Sequence, residues 1–237
     1  MSEELSIDDI VLSYLLTDDT YITPHNIVTL EYPFEIQTND YLKFSKKDIV
    51  SNENETHGTL NALSNAKRAL ESRVDCILQI YGIKKVGQRI QNLNSFPQKI
   101  DLLNKLGLIA PKIMRRINTS RNRMEHDYVE PKKDTVDDFI DVVELFLEST
   151  EVITTRFVHE FSLQNESIEY WLDCRYNFGD ASFEIQINNN NDYKSIAIHE
   201  LRFDRKNLDC NNTFKRLFNL VYEVTLNPPY KQCSTLY

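Results

Sequence analysis

Glycine is scarce in this chain, five in 237 residues, and no glycine-rich loop of the kind that cradles phosphates is present. The four cysteines, Cys76, Cys174, Cys210 and Cys233, include no CxxC pair, so neither a zinc site nor a disulfide framework is expected. His25, His57, His159 and His199 stand alone without a spaced His or Cys, which argues against a metal and leaves no cofactor expected. No serine or cysteine sits in a recognisable nucleophile setting. No stretch approaches the roughly 18 to 20 uncharged apolar residues of a membrane span. The acidic N-terminus lacks the basic-then-apolar order of a signal peptide, so a cytoplasmic protein with no membrane partner is the expectation.

What is present is enough for a substantial core: 41% of the residues are hydrophobic, over a length suited to one elaborated domain or two small ones. The net charge of −9 argues against a nucleic-acid partner only until it is mapped along the chain. Residues 1–56 hold 3 basic and 12 acidic side chains, residues 57–160 hold 16 and 14, and residues 161–237 hold 8 and 10. The middle segment alone is positive. Within it Lys112, Arg115, Arg116, Arg121 and Arg123 crowd a short stretch, which is either a local patch for phosphates or a solvated helix face.

Hydrophobic periodicity divides the chain the same way. Residues 1–56 open with an apolar run, Ile10 to Leu16, and then alternate at Val28, Leu30, Tyr32, Phe34 and Ile36. That period of two predicts a strand, and Pro33 inside it predicts an edge position or a bulge. Ser51 to Thr56 reads as a linker. From His57 the spacing becomes helical, through Leu60, Leu63, Ala66, Leu70, Val74, Ile77 and Tyr81, with Gly82 placed to stop the helix. A second helical region, Val86 to Leu106, is broken near Phe96-Pro97; a third starts near Pro111 and ends at Pro131. A fourth, with Asp134 as N-cap, runs from Val136 to Phe157. Short connections predict an antiparallel bundle. After Phe161 alternation returns: a hairpin over Ile168 to Ile187, a turn at Asn188 to Asp192, a strand around Ile196 and Ile198, and a closing helix over Thr213 to Val224.

The third helix carries the unusual chemistry, in Ser120-Arg121-Asn122-Arg123-Met124-Glu125-His126-Asp127-Tyr128. Steps of four from Ile113 through Ile117 arrive at Arg121, and Met124 and Tyr128 continue that face. A guanidinium thus interrupts an apolar stripe. Burying it unpaired costs several kcal/mol, so it must meet an acid, reach a cleft or face another subunit. Asn122 lies four residues before His126 and can orient its imidazole. On an ideal helix Arg121 and His126 stand about 140° apart, so convergence on one group needs long side chains or a distorted helix.

Arg121, Asn122 and His126, followed by Asp127 and Tyr128, resemble the motif of the HEPN superfamily, an Arg, often with a polar residue after it, four to six residues ahead of a His. The resemblance covers about residues 57–160 and includes the Leu60 to Ile80 segment, similar to the family's long first helix. It implies an α+β protein with a central antiparallel four-to-five-helix HEPN-like bundle over residues 57–160. An acidic segment with an edge strand (1–56) and a β-hairpin-rich extension with a terminal helix (161–237) would be additions to it. It implies a metal-independent endoribonuclease, a toxin or defence effector, that acts as a homodimer through the motif-bearing helices. The residues suit that chemistry: His126 as general base or acid on a ribose 2′-hydroxyl, Arg121 on the phosphate, Asn122 in support, and Lys112, Arg115, Arg116 and Arg123 along the RNA. Arg121-x4-His126-x-Tyr128 also matches HEPN toxins whose nucleotidyltransferase antitoxin adenylylates the tyrosine, which would make Tyr128 an inhibition site, although its place on the stripe makes packing its default role.

Two other readings stand beside this one. In the first, the segment is a non-catalytic module for dimerisation or for RNA or nucleotide binding. In the second, Arg121 is structural, salt-bridged to an acid on another helix. The acidic residues 1–50 are further expected to cover the basic helix as a nucleic-acid mimic would.

Overall fold

A computed structural model describes residues 6–15, 17, 19–50, 55–84, 93, 95–108, 132–204 and 212–227. In chain order the elements are α1 (Ile7–Leu15), β1 (Thr20–Thr29), α2 (Thr38–Ile49), α3 (Glu55–Ile80), α4 (Phe96–Lys105), α5 (Lys133–Ser149), α6 (Glu151–Thr155), β2 (Arg156–Asn165), β3 (Tyr170–Asn177), β4 (Ser182–Asn189), β5 (Ser195–Arg202) and α7 (Thr213–Leu226). The chain divides into two compact units. One comprises Met1–Leu30, Tyr81–Ile83 and Thr155–Tyr237; the other comprises Glu31–Ile80 and Lys84–Thr154.

This overturns the expected architecture of a HEPN-like bundle core with β-rich additions at its ends. The molecule is α+β, and a five-stranded antiparallel sheet ordered β1-β2-β3-β4-β5 is the framework of one of its two units. The two β-rich ends are not separate additions. Thr20 of β1 pairs with Asn165 of β2 and Thr29 with Arg156, so the N-terminal strand completes a sheet begun far along the chain. Local periodicity carries no trace of a pairing at such separation.

In the sheet unit, directly opposed residues share a face, so the register sorts the side chains. Phe161, Cys174, Ile185 and His199 form one row, and Leu163, Leu172, Ile187 and Ala197 the next, on the face that α1 and α7 cover. α7 contributes Phe214, Leu217, Phe218 and Val221, all buried. Phe157, Tyr176 and Phe218 surround Tyr81 with ring centroids 5.0 to 6.3 Å away, in mostly edge-to-face contacts favoured by the ring quadrupoles. The Tyr176 hydroxyl donates to the Tyr81 carbonyl at 2.8 Å. Gly82 follows at φ +69, where a Cβ would stand 2.0 Å from the Phe178 carbonyl oxygen; no other residue fits there.

In the helical unit α3 packs against α2, α4 and α5. Its buried face includes Ala62, Ala66 and Ala69, small side chains that admit close approach, with Leu70, Val74 and Ile77. α2 buries Thr38, Leu42, Ser45 and Ile49, a helical spacing half of which is polar. Its hydroxyls are satisfied: Ser45 donates to the Ala62 carbonyl at 2.6 Å, and Thr38 meets Tyr32 Oη at 2.6 Å. α4 begins where the sequence predicted a break, because Ser95 and Gln98 cap its first turn and Pro97 needs no donor there.

Local expectations fare unevenly. The first long helix, the hairpin, the β5 strand and the closing helix are present, whereas the strand expected at Val28 to Ile36 lies earlier, at Thr20–Thr29. It is an edge strand with a bulge, but the proline inside it is Pro24, not Pro33. The fourth helix stops at Ser149 rather than Phe157, which is a core residue of β2. Residues 1–50 supply α1, β1 and α2; the basic stretch that they are expected to cover lies outside the described residues.

Candidate functional site

All the residues assigned from the sequence to RNA chemistry, Arg121, Asn122 and His126, with Lys112, Arg115, Arg116, Arg123 and Tyr128, lie outside the described residues. Their frame is described: α4 ends at Lys105 and α5 begins at Lys133, and the motif occupies the sequence between these helices. Near the start of that frame Asp75 of α3 holds two cations, Lys99 at 2.8 Å and Lys84 at 3.2 Å.

Among the described residues one arginine, Arg73, is buried. Arg73 lies on the inward face of α3, between Leu70 and Val74, with only 4% of its side chain exposed. It donates to Glu151 Oε2 at 2.7 Å and to Thr154 Oγ1. The five-residue α6, Glu151–Thr155, thus presents a carboxylate and a hydroxyl to one guanidinium. Cys76 lies one turn along. Burial pushes its thiol up to about 12, with the Arg73 charge opposing and the Glu151 charge reinforcing that rise. The buried thiol is therefore neutral at ordinary pH.

The sheet face away from α1 and α7 carries the other constellation. In register across it run Thr23, Ser162, Asp173, Gln186 and Ile198, and beside them Glu160, Arg175, Glu184 and Glu200. β1 bulges between Pro24 and Asn26, which brings His25 Nε2 to 2.5 Å from Ser162 Oγ. Ser162 donates its proton to Asp173 Oδ1 at 2.5 Å, so its oxygen accepts from the His25 Nε2–H. Asp173 accepts two further bonds, from Trp171 Nε1 at 3.1 Å and Asn188 Nδ2 at 2.8 Å. Ser162 is 4% exposed and gives its proton to a carboxylate rather than to the histidine, so it is not a histidine-activated nucleophile. Arg175 binds Glu160 through both Nε, at 2.8 Å, and Nη2, at 2.5 Å; this hydrogen bond holds the Glu160 carboxyl below the usual carboxylate range.

Sequence reasoning dismissed His25 as isolated. Its partner Ser162 is 137 residues further on and bonds in turn to Asp173, and only the strand register brings the three together. Among the described residues no group of three or more His, Cys, Asp or Glu is arranged to hold a metal ion, and no helix is long and apolar enough to cross a membrane. No protein family, curated protein or solved structure matches the chain.

Proposed function

We propose that this protein is a metal-independent endoribonuclease of HEPN type, with His126 as the proton-transfer group, Arg121 as the phosphate clamp and Asn122 orienting the imidazole. The observation that carries the reading is the Arg121-Asn122-x3-His126 spacing inside a locally basic stretch of an otherwise acidic chain. Its sequence position supports it, between two helices of the unit to which the 26-residue α3 belongs. An imidazole with an unperturbed pKa near 6.5 both accepts and returns a proton at neutral pH, and a permanent guanidinium stabilises charge developing on phosphorus oxygens. Neither role requires a metal. Lys112, Arg115, Arg116 and Arg123 supply the phosphate contacts that position the strand. The protein then acts as a homodimer in the cytoplasm, in defence or as a toxin, with Tyr128 open to adenylylation by a partner nucleotidyltransferase.

The test is to incubate the purified chain with labelled single-stranded RNA and its DNA counterpart in chelator, beside Arg121→Ala and His126→Ala. RNA is cut, DNA is not, and each variant loses at least about a hundredfold in rate. Equal RNA binding without cleavage in all three proteins points instead to a non-catalytic RNA-binding module. Cleavage that survives in both variants removes these residues from the chemistry.

A further inference from the structure

The sheet has one covered face and one that α1 and α7 leave open, and the open face contains an electrostatic conflict. Glu184 stands directly opposite Glu200 across β4 and β5, a like-charge pair that weakens a sheet. Glu200 is compensated by Arg202 at 2.8 Å. On the other side of Glu184, Arg175 is engaged by Glu160, so among the described residues Glu184 has no cation of its own. The depressions on either side of it, of 590 and 680 Å³, share Arg175 and Glu184 as walls.

The adjoining edge adds an apolar feature and a free ladder. β5 is the last strand of the sheet, and among the described residues no strand pairs with its outer edge. Ile196 and Ile198, two apart and therefore on one side of the strand, are 55% and 64% exposed. Natural edge strands are usually blunted by proline, lysine or inward charge, and the eight residues of β5 contain no proline or lysine. Beside them on this face Asp173, Ser162, His25, Asn188 and Gln186 are hydrogen-bonded to one another across β1 to β4.

We propose that β5 docks an extended segment of a partner protein by antiparallel strand addition, the segment carrying a basic side chain two residues before an apolar one. Strand addition satisfies the open backbone groups of β5. In antiparallel register a lysine or arginine opposite Glu200 stands two strand spacings, roughly 10 Å, from Glu184, so it meets Glu200 directly and only its long side chain reaches toward Glu184; the apolar side chain two residues later covers Ile198. Charge complementarity selects a basic segment over an acidic one. This site is independent of the RNA reading.

The probe is a fluorescein-labelled peptide, Thr-Val-Lys-Thr-Ile-Val-Ile-Ser, titrated with the full chain and followed by anisotropy, beside the same peptide with Glu in place of Lys. The Lys peptide binds about tenfold or more tightly than the Glu peptide. A Glu184→Gln, Glu200→Gln chain loses that preference, while Ile198→Ser weakens both peptides. Glu184→Gln alone keeps or raises the urea midpoint of the free chain, because a repulsion is removed, which separates lost binding from lost folding. No binding, equal binding of the two peptides, or a preference that survives in the double variant overturns the proposal. So does a dimer of the free chain that Ile198→Ser dissolves, since the occupant is then a second copy.

Discussion

At the scale of single residues, Arg73 sets the standard against which Arg121 must be judged. Arg73 interrupts the apolar stripe of α3, as the spacing of the sequence leads one to expect of Arg121, and it does so for a structural end, with Glu151 and Thr154 as its partners. A guanidinium on an inward face is therefore not by itself a mark of catalysis in this protein; what distinguishes Arg121 is the Asn122 and His126 that follow it. The Arg73 pair is asymmetric, 4% exposed on the arginine side and 50% on the glutamate side. Removing Glu151 strands a buried charge, whereas removing Arg73 leaves a carboxylate that water can reach. Urea unfolding is accordingly expected to show a loss of about 3 kcal/mol for Glu151→Gln and about 1 kcal/mol or less for Arg73→Met, and equal losses contradict this account. A second expectation concerns alkaline pH. Burial raises the Cys76 thiol to about 12 from 9.0, and it raises the Cys174 thiol and the Tyr176 hydroxyl as well. With folded pKa values above unfolded ones, the native chain binds more protons than the unfolded chain as pH climbs, so this stability is complete below the unfolded thiol value and lost above it. The urea midpoint should hold steady from about pH 7 to about pH 8 and fall progressively above about pH 9.

At the scale of elements, the Tyr81-Gly82 step that follows α3 is closely constrained. Gly82→Ala demands a left-handed backbone and puts a methyl group 2.0 Å from the Phe178 carbonyl. A loss of about 2 kcal/mol or more is expected in urea unfolding, and a neutral result would mean that the β3–β4 turn yields freely. The sequence announced this stop, because a glycine after a helical stripe has few other uses. It announced α3, α7 and the β3–β4 hairpin for similar reasons: their apolar residues recur at the period of the element they form. It did not announce α2, because two of its four buried positions, Thr38 and Ser45, are polar and are satisfied by hydroxyl bonds that appear only in the packed unit. It ran the fourth helix on to Phe157 because Ile153 and Phe157 keep helical spacing, although Phe157 belongs to the aromatic core of the sheet unit. The His25, Ser162, Asp173 network was illegible for a different reason. Its members come from three strands, and no local pattern encodes their meeting.

At the scale of the whole molecule, the chain folds its two ends into one sheet unit and its middle into a helical one. The acidic residues that made a nucleic-acid partner look improbable are distributed over both units, while the basic excess stays near the Arg121 to His126 motif. Two features of opposite character follow, a basic stretch of sequence proposed to meet phosphate and a sheet face on which Glu184 has no cation among the described residues. The central claim is that the first of these cuts RNA through the ribose hydroxyl, and product-end chemistry tests it most directly. RNA treated with the full chain in chelator is predicted to carry 2′,3′-cyclic phosphate ends, and a single 2′-O-methyl group at the mapped site should block the cut there, with both signals lost in His126→Ala. Intact RNA, or cleavage that ignores the 2′-O-methyl group and persists in His126→Ala, would contradict the account.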